Sequence, residues 1–294
     1  MTPGESEETV AIARAGSLKV DPATPAPEVS VVVPLFGNAA TLPELCQRLV
    51  RSLQTAGLSF EVILVDDCSP DGTLQSAERL VGTDNRLGVL ALERNVGQHR
   101  AVLVGLAHAR GARAVVVDGD LQDPPEAIPA LLTKADEGFD AVFGGRRGRY
   151  QPLPRMLTSV AYKTVQHLLC GVPRDAGMFI ALSGGLVGRL LGFRGSGRLT
   201  VPAMIGLSGA SCTSVPVVRS RRPVGRSSYS GRRRLAIGTG NVCRHSALAL
   251  LPCEPHRPHP PGGGDRPPTG CVSPGGGELA GWTVHLRGSA RQCG

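Results

Sequence analysis

The clearest signal along the chain is an exchange between two periodicities. From Val29 the run VSVVVPLF shows no polar alternation, which predicts a strand covered on both faces. TLPELCQRLVRSLQTAG follows, with Leu45, Leu49 and Leu53 in an i, i+4 stripe. Thr41 and Glu44 have capping-box spacing and Pro43 falls in the first turn, so a helix is expected there. The exchange then repeats. FEVILVDD, GVLALER, ARAVVVDGD and DAVFGGRR read as strands; TLQSAERLV, GQHRAVLVGLAHARG and PEAIPALLTKADEG read as the helices between them.

Strands and helices alternating at such short spacing imply an α/β fold, with a mostly parallel sheet and helices on both faces. Ligands of such sheets bind outside the carboxyl ends of the strands. The polar residues at those ends are Asp66 and Asp67, Arg94 and Asn95, Asp118 and Asp120, Arg146 and Arg147, and they are expected to converge on one edge. Beyond Tyr150 the pattern weakens. RMLTSVAYKTVQHLLCG and GGLVGRLLGF are helix candidates; DAGMFIAL and CTSVPVVRSRR are strand candidates. The basic segment RSRRPVGRSSYSGRRR comes next.

Three regions follow: an acidic, Pro-rich leader over 1–28, a main domain over 29–240 and a Pro/Gly-rich tail over 241–294. Leader and tail lack the periodicity to pack a core and are expected to be disordered. The break in character after about Arg244 is abrupt, which motivates the hypothesis of an altered reading frame. Translating the gene in its other frames tests that: a periodic, apolar continuation supports it, and none refutes it.

Composition narrows the partners. Hydrophobic residues make up 41% of the chain and aromatics only 3%, so the core is built from Val, Leu and Ala. A net charge of +8 favours an anionic partner: a nucleotide, a phospholipid surface or nucleic acid. The eight cysteines include no CxxC and no regular spacing, which fits single thiols in a reducing compartment. Cys253, His256, His259 and Cys271 have no standard ligand spacing and are not read as a metal site. The start lacks a basic n-region leading into an apolar stretch, and no run reaches the ~18 apolar residues of a membrane span. A cytoplasmic location is therefore expected. RRPVGRSSYSGRRR has one aromatic and no recognised binding fold around it, so nucleic acid is set aside.

Candidate chemistry begins in AVVVDGDLQDPPE. Asp118 and Asp120 flank Gly119 at a strand end, and two such carboxylates repel unless a cation or donors lie between them. Oxygen sites of this kind suit Mg²⁺ or Mn²⁺, held with help from substrate phosphates. Gln122 adds an amide oxygen on the same side if the segment is extended. The competing reading is an acidic turn in which Asp123 caps a helix opened by Pro124 and Pro125. VDDCSPDGT is the second constellation. Asp66 and Asp67 end a strand, while Ser69, Asp71 and Thr73 supply turn and cap oxygens. It is either a well-capped strand-to-helix turn or a carboxylate presented to a nucleobase and ribose.

The order VVVP, VDDxSxDGT, RNxGxxxA, DxDLQDPPE resembles the family 2 glycosyltransferases of the GT-A fold. Within them it resembles the branch that loads a sugar onto a polyprenyl phosphate, which includes dolichol-phosphate mannosyltransferases and undecaprenyl-phosphate sugar transferases. RNVGQHRAVLVGLAHA, DGDLQDPPEAIP and KADEGFDAV are most similar to that branch's 4-deoxy-4-formamido-arabinose transferases, and RSRRPVGRSSYSGRRRL resembles its R-x-x-G-x-S-K-Y-S segment. The resemblance covers Val29 to Arg234. It implies that Pro34 and Phe36 line a nucleobase pocket, Asp67 contacts the base and Asp118 binds the nucleoside. Asp120 and Gln122 would hold Mg²⁺ or Mn²⁺, Arg146 would lie near the donor phosphates, and Arg222 with Ser228 near donor or acceptor phosphates. The implied reaction is an inverting transfer from a nucleotide-sugar to a polyprenyl phosphate, on the inner face of the plasma membrane. An acceptor that is a glycan or small molecule, or a non-catalytic nucleotide-binding role, stays open. The chain departs from the branch in VPLFGN in place of VPxYNE, in Ile180 where an arginine is frequent, and in Ser228 for lysine. Where many members carry two membrane helices, this chain has its tail. The arginine segment remains as a membrane handle, worth about 1 kcal/mol per basic residue near an anionic surface.

Overall fold

The structure is a computed structural model. It describes residues 25–147, 172–193 and 199–220, with short strand pieces at 13–14, 277–279, 282–284 and 286–287; the side chains of Arg146 and Arg147 are excepted. Seven strands form the body of one sheet: β1 (Val29–Leu35), β2 (Phe60–Asp66), β3 (Leu87–Leu92), β4 (Arg113–Val116), β5 (Ala141–Arg147), β6 (Ile180–Ser183) and β7 (Cys212–Val218). Their order is β3-β2-β1-β4-β6-β5-β7. β3, β2, β1 and β4 run parallel, β6 is antiparallel to both β4 and β5, and β7 is parallel to β5. The carboxyl ends of six strands therefore face one edge. Ala13–Arg14 and Leu286–Arg287 extend the sheet beyond β3, and Gly277–Leu279 pairs with Trp282–Val284 in a separate ribbon.

The helices are α1 (Leu42–Thr55), α2 (Thr73–Thr83), α3 (Gln98–Ala107), α4 (Ile128–Ala135, entered through a 3-10 turn at Pro125–Ala127), α5 (Gly184–Leu191) and α6 (Val201–Leu207). Two apolar layers sandwich the sheet. Val29, Val31, Val33 and Leu35 of β1 face α1, whose Leu42, Leu45, Leu49 and Leu53 are fully buried. Each such leucine contributes about 1.5–3 kcal/mol by leaving water. Val32, between them in β1, points to the opposite layer with Val102 and Leu106 of α3. The unbroken apolar runs of the sequence arise here, because both faces of β1 and β2 are covered. Among the described residues, no helix is long and apolar enough to cross a membrane.

Two local expectations are corrected. Thr41 is the N-cap of α1 but makes no capping bond; its hydroxyl donates to the carbonyls of Asn38 (3.2 Å) and Gly119 (2.8 Å). Asp123 does not cap the following helix, whose entry residue is Pro124; its carboxylate takes Arg219 instead. In both cases a tertiary partner outcompetes the local cap. The helix expected in RMLTSVAYKTVQHLLCG, and the basic segment after Ser220, lie outside the described residues.

Candidate active site

β1 ends in Phe36-Gly37-Asn38. Gly37 takes φ +72°, a left-handed turn that glycine adopts without strain, and Phe36 stands 41% exposed beyond the sheet. Pro34 is buried within β1. Asn38 accepts from the Phe36 N–H (2.8 Å) and donates through Nδ2 to the Gly119 carbonyl (3.0 Å). Asn38 thus ties the end of β1 to the Asp118-Gly-Asp120 turn. A Cβ on Gly119 would approach Asn38 and Leu35 at 3.0 Å, so the glycine permits this close contact.

At the end of β2, Asp66 and Asp67 are both buried. Asp66 Oδ2 accepts from the Ser69 N–H (3.2 Å), while its Oδ1 is buried with no hydrogen-bond partner among the described residues. Asp67 accepts from the N–H groups of Val96 (2.6 Å) and Gly97 (2.9 Å), and Asn95 Nδ2 donates to its main-chain carbonyl (3.2 Å). Burial pushes the Asp67 carboxyl up to about 6, against the pull of those two donors, and the neighbouring Asp66 charge adds to the rise. The RNVG loop is thereby held onto the VDD turn. Asp71 closes the same corner, accepting from the N–H and hydroxyl of Thr73 (3.1 and 2.5 Å) and from the Ala39 N–H (3.3 Å).

Asp118 and Asp120 emerge just past β4. Gln98, the first residue of α3, donates through Nε2 to Asp118 Oδ1 at 2.5 Å. Asp120 Oδ1 accepts from the Gln122 N–H (3.1 Å). The segment is not extended as expected: Leu121 has φ +59° and its side chain is buried, so the chain turns sharply. The Gln122 amide oxygen consequently faces Arg219 Nη1 at 3.4 Å.

Arg219 follows β7 and was not among the expected site residues. Its Nε and Nη2 bind the two oxygens of Asp123, each at 2.5 Å, and Nη2 lies 4.0 Å from Asp118 Oδ2. Burial works against the Arg219 charge. The Asp123 hydrogen bonds and the charges of Asp123, Asp118 and Asp120 outweigh it and hold the guanidinium above its ordinary range. Signals for Arg219, Asn38 and Gln98 were faint in the sequence, since they act through partners 96, 81 and 20 residues away, respectively.

The structure therefore brings Pro34, Phe36, Asp67, Asp118, Asp120 and Gln122 to one edge. By its backbone Arg146 is the second-last residue of β5, at the carboxyl end that faces the same edge; its side chain, Arg222 and Ser228 fall outside the described residues. Ile180 is fully buried in β6, so this departure from the family's pattern lies in the core. The donor set of two carboxylates and an amide oxygen fits Mg²⁺ or Mn²⁺ bound jointly with substrate phosphates. An all-protein cage is not offered: no group of three or more His, Cys, Asp or Glu side chains able to hold a metal occurs among the described residues.

Comparison with known proteins bears on the family and the fold. Residues 30–169 match the model of glycosyl transferase family 2. Over 222 residues the chain is 35% identical to the undecaprenyl-phosphate 4-deoxy-4-formamido-L-arabinose transferase of Salmonella paratyphi B, covering 73% of this chain and 66% of that protein. The chain thus spans just under two thirds of that relative's length. A mannosyltransferase of Pyrobaculum calidifontis, solved with GDP-Man and Mn²⁺, superposes with a TM-score of 0.53 at 22% identity, over 84% of this chain and 69% of that one. Glucosyl-3-phosphoglycerate synthase of Mycobacterium tuberculosis, solved with Mn²⁺, UDP and phosphoglyceric acid, gives 0.55 at 20% identity, over 77% and 80%. These two likenesses establish the fold, GT-A. With the family model matching the strands that lead into Asp67 and Asp118, residues 30–169 of the chain form a glycosyltransferase family 2 domain.

Proposed function

We propose that this protein is an inverting, metal-dependent glycosyltransferase that moves a sugar from a nucleotide-sugar to the phosphate of a polyprenyl acceptor at the cytoplasmic membrane surface. The observation that carries the reading is the joining of two acidic turns at one edge. Asp67 is locked to the start of α3 through Val96 and Gly97, and the next residue of that helix, Gln98, holds Asp118. A base seated against Phe36 and Asp67 would place its ribose and diphosphate towards Asp118 and Asp120. The relative named above, which acts on undecaprenyl phosphate by its name, supports the acceptor class.

Phe36 offers an aromatic face to the base, and ionised Asp67 an acceptor to its N–H groups. Asp118, fixed by Gln98, accepts from the nucleoside. Asp120 and Gln122 would hold the divalent ion, which when bound neutralises charge on the departing nucleoside diphosphate. The acceptor phosphate is already ionised, so its oxygen attacks the anomeric carbon without a strong general base. The bond from that carbon to the diphosphate breaks as the new one forms, and the single displacement inverts the configuration. Arg146 and Arg222 are assigned to the phosphates of donor and acceptor. Transfer of radiolabel from a nucleotide-sugar into an organic-extractable lipid, in the presence of Mn²⁺, tests the proposal. Label confined to the aqueous phase would refute the lipid acceptor.

A further inference from the structure

We propose that Arg219 is a resident counter-cation of the acidic loop, competing with the divalent ion for Gln122 beside Asp118, so that the metal binds with the donor rather than alone. The inference rests on the metal site assigned above. One side of the guanidinium is fixed: Nε and Nη2 make a two-pronged bond to buried Asp123, and the Ser220 N–H donates to the Gln122 carbonyl (3.0 Å), anchoring the end of β7 to the loop. The remaining donors point the other way. Nη1 lies 3.4 Å from Gln122 Oε1 and Nη2 4.0 Å from Asp118 Oδ2. Arg219 therefore sits on Gln122 Oε1, one of the oxygens assigned to the ion, with little solvent around it, since its side chain is only 15% exposed.

The consequence is electrostatic. A metal bound about 2 Å beyond Gln122 Oε1 would lie within roughly 6 Å of this guanidinium. At that distance, one positive charge weakens divalent-ion binding about tenfold even at the dielectric of water. A donor diphosphate brings negative charge that offsets Arg219, so the penalty falls on the metal alone. Arg219 is thus a positioning residue with a second, charge-balancing role. A purely structural role makes the opposite prediction, since loosening the loop would weaken metal binding.

The test is a Mn²⁺ binding isotherm followed by electron paramagnetic resonance on the full chain, with no nucleotide, comparing wild type, Arg219→Gln and the double variant Asp123→Asn/Arg219→Gln. The double variant avoids leaving Asp123 buried with an unpaired charge, and it carries the test if the single variant does not fold. About tenfold tighter Mn²⁺ binding in Arg219→Gln, or several-fold tighter binding in the double variant, is expected. Equal or weaker binding in a variant with the wild-type circular dichroism spectrum overturns the inference. If wild type then still binds Mn²⁺ in the presence of UDP or GDP, the metal-site reading stands and only the Arg219 role falls. If wild type binds no Mn²⁺ with or without nucleoside diphosphate, both fall.

Discussion

Replacing Asp67 with asparagine should change how stability depends on pH. The native carboxyl is pushed up from 3.8 to about 6, with burial as the largest cause. Between those two values the folded state retains a proton that the unfolded chain has released, so stability falls as pH rises through the window and is level above it. At 1.36 kcal/mol per unit, ionised Asp67 costs the fold about 3 kcal/mol at neutral pH. Asparagine does not titrate. Urea unfolding by far-ultraviolet circular dichroism from pH 4 to 7.5 should therefore show wild-type stability, relative to Asp67→Asn, dropping by about 2.5 kcal/mol across the range. The other carboxylates are shared by both proteins and cancel in the difference. A flat difference, or one that grows with pH, would mean that the Val96 and Gly97 donors outweigh burial, and the reasoning would be wrong. The same titration has a functional side: an acceptor for base N–H groups must be ionised, so nucleotide affinity should rise as pH passes about 6, the value to which Asp67 is pushed.

Gly144 lies against the buried ring of Phe179, and a Cβ there would overlap the Phe179 ring. Gly144→Ala should lower the melting temperature by roughly 2–12 °C through overpacking, and an unchanged melt would show that the ring can move aside. Among the described cysteines, Cys68 is exposed while burial pushes the thiols of Cys46 and Cys212 up to about 12 and about 11. Iodoacetamide at pH 8 should alkylate Cys68 before Cys46 and Cys212 by peptide mapping, and saturating nucleotide should slow it because Cys68 adjoins Asp67; rapid labelling of Cys46 would contradict its packing in α1.

The strands and helices from Val29 to Arg147 were legible because each apolar run is interrupted by turn residues at a single place. The convergence of Asp67, Asp118 and Asp120 followed from parallel order alone. Other features were hidden by long-range competition. Thr41 and Asp123 carry local capping signals, yet a carbonyl from Gly119 and a guanidinium from Arg219 claim them. Leu121 gave no hint of its left-handed turn, which goes with burial of its side chain under the loop and with the Gln122 N–H bond to Asp120 across it. The antiparallel insertion of β6 between β4 and β5 was equally invisible, since Ile180–Ser183 is short and its partners are set by the whole sheet.

The central claim is that the edge formed by Asp67, Asp118 and Asp120 binds a nucleoside diphosphate together with a divalent ion. Thermal melting with UDP-, GDP- and dTDP-sugars, each with and without Mn²⁺, tests it most directly. For one of the donors at a hundredfold excess over its dissociation constant, stabilisation should reach about 2.7 kcal/mol, a shift of roughly 5–11 °C, in the presence of both sugar nucleotide and Mn²⁺. Asp120→Ala should abolish the metal-dependent part of that shift. A shift that is the same without Mn²⁺, or that survives in Asp120→Ala, would contradict the assignment.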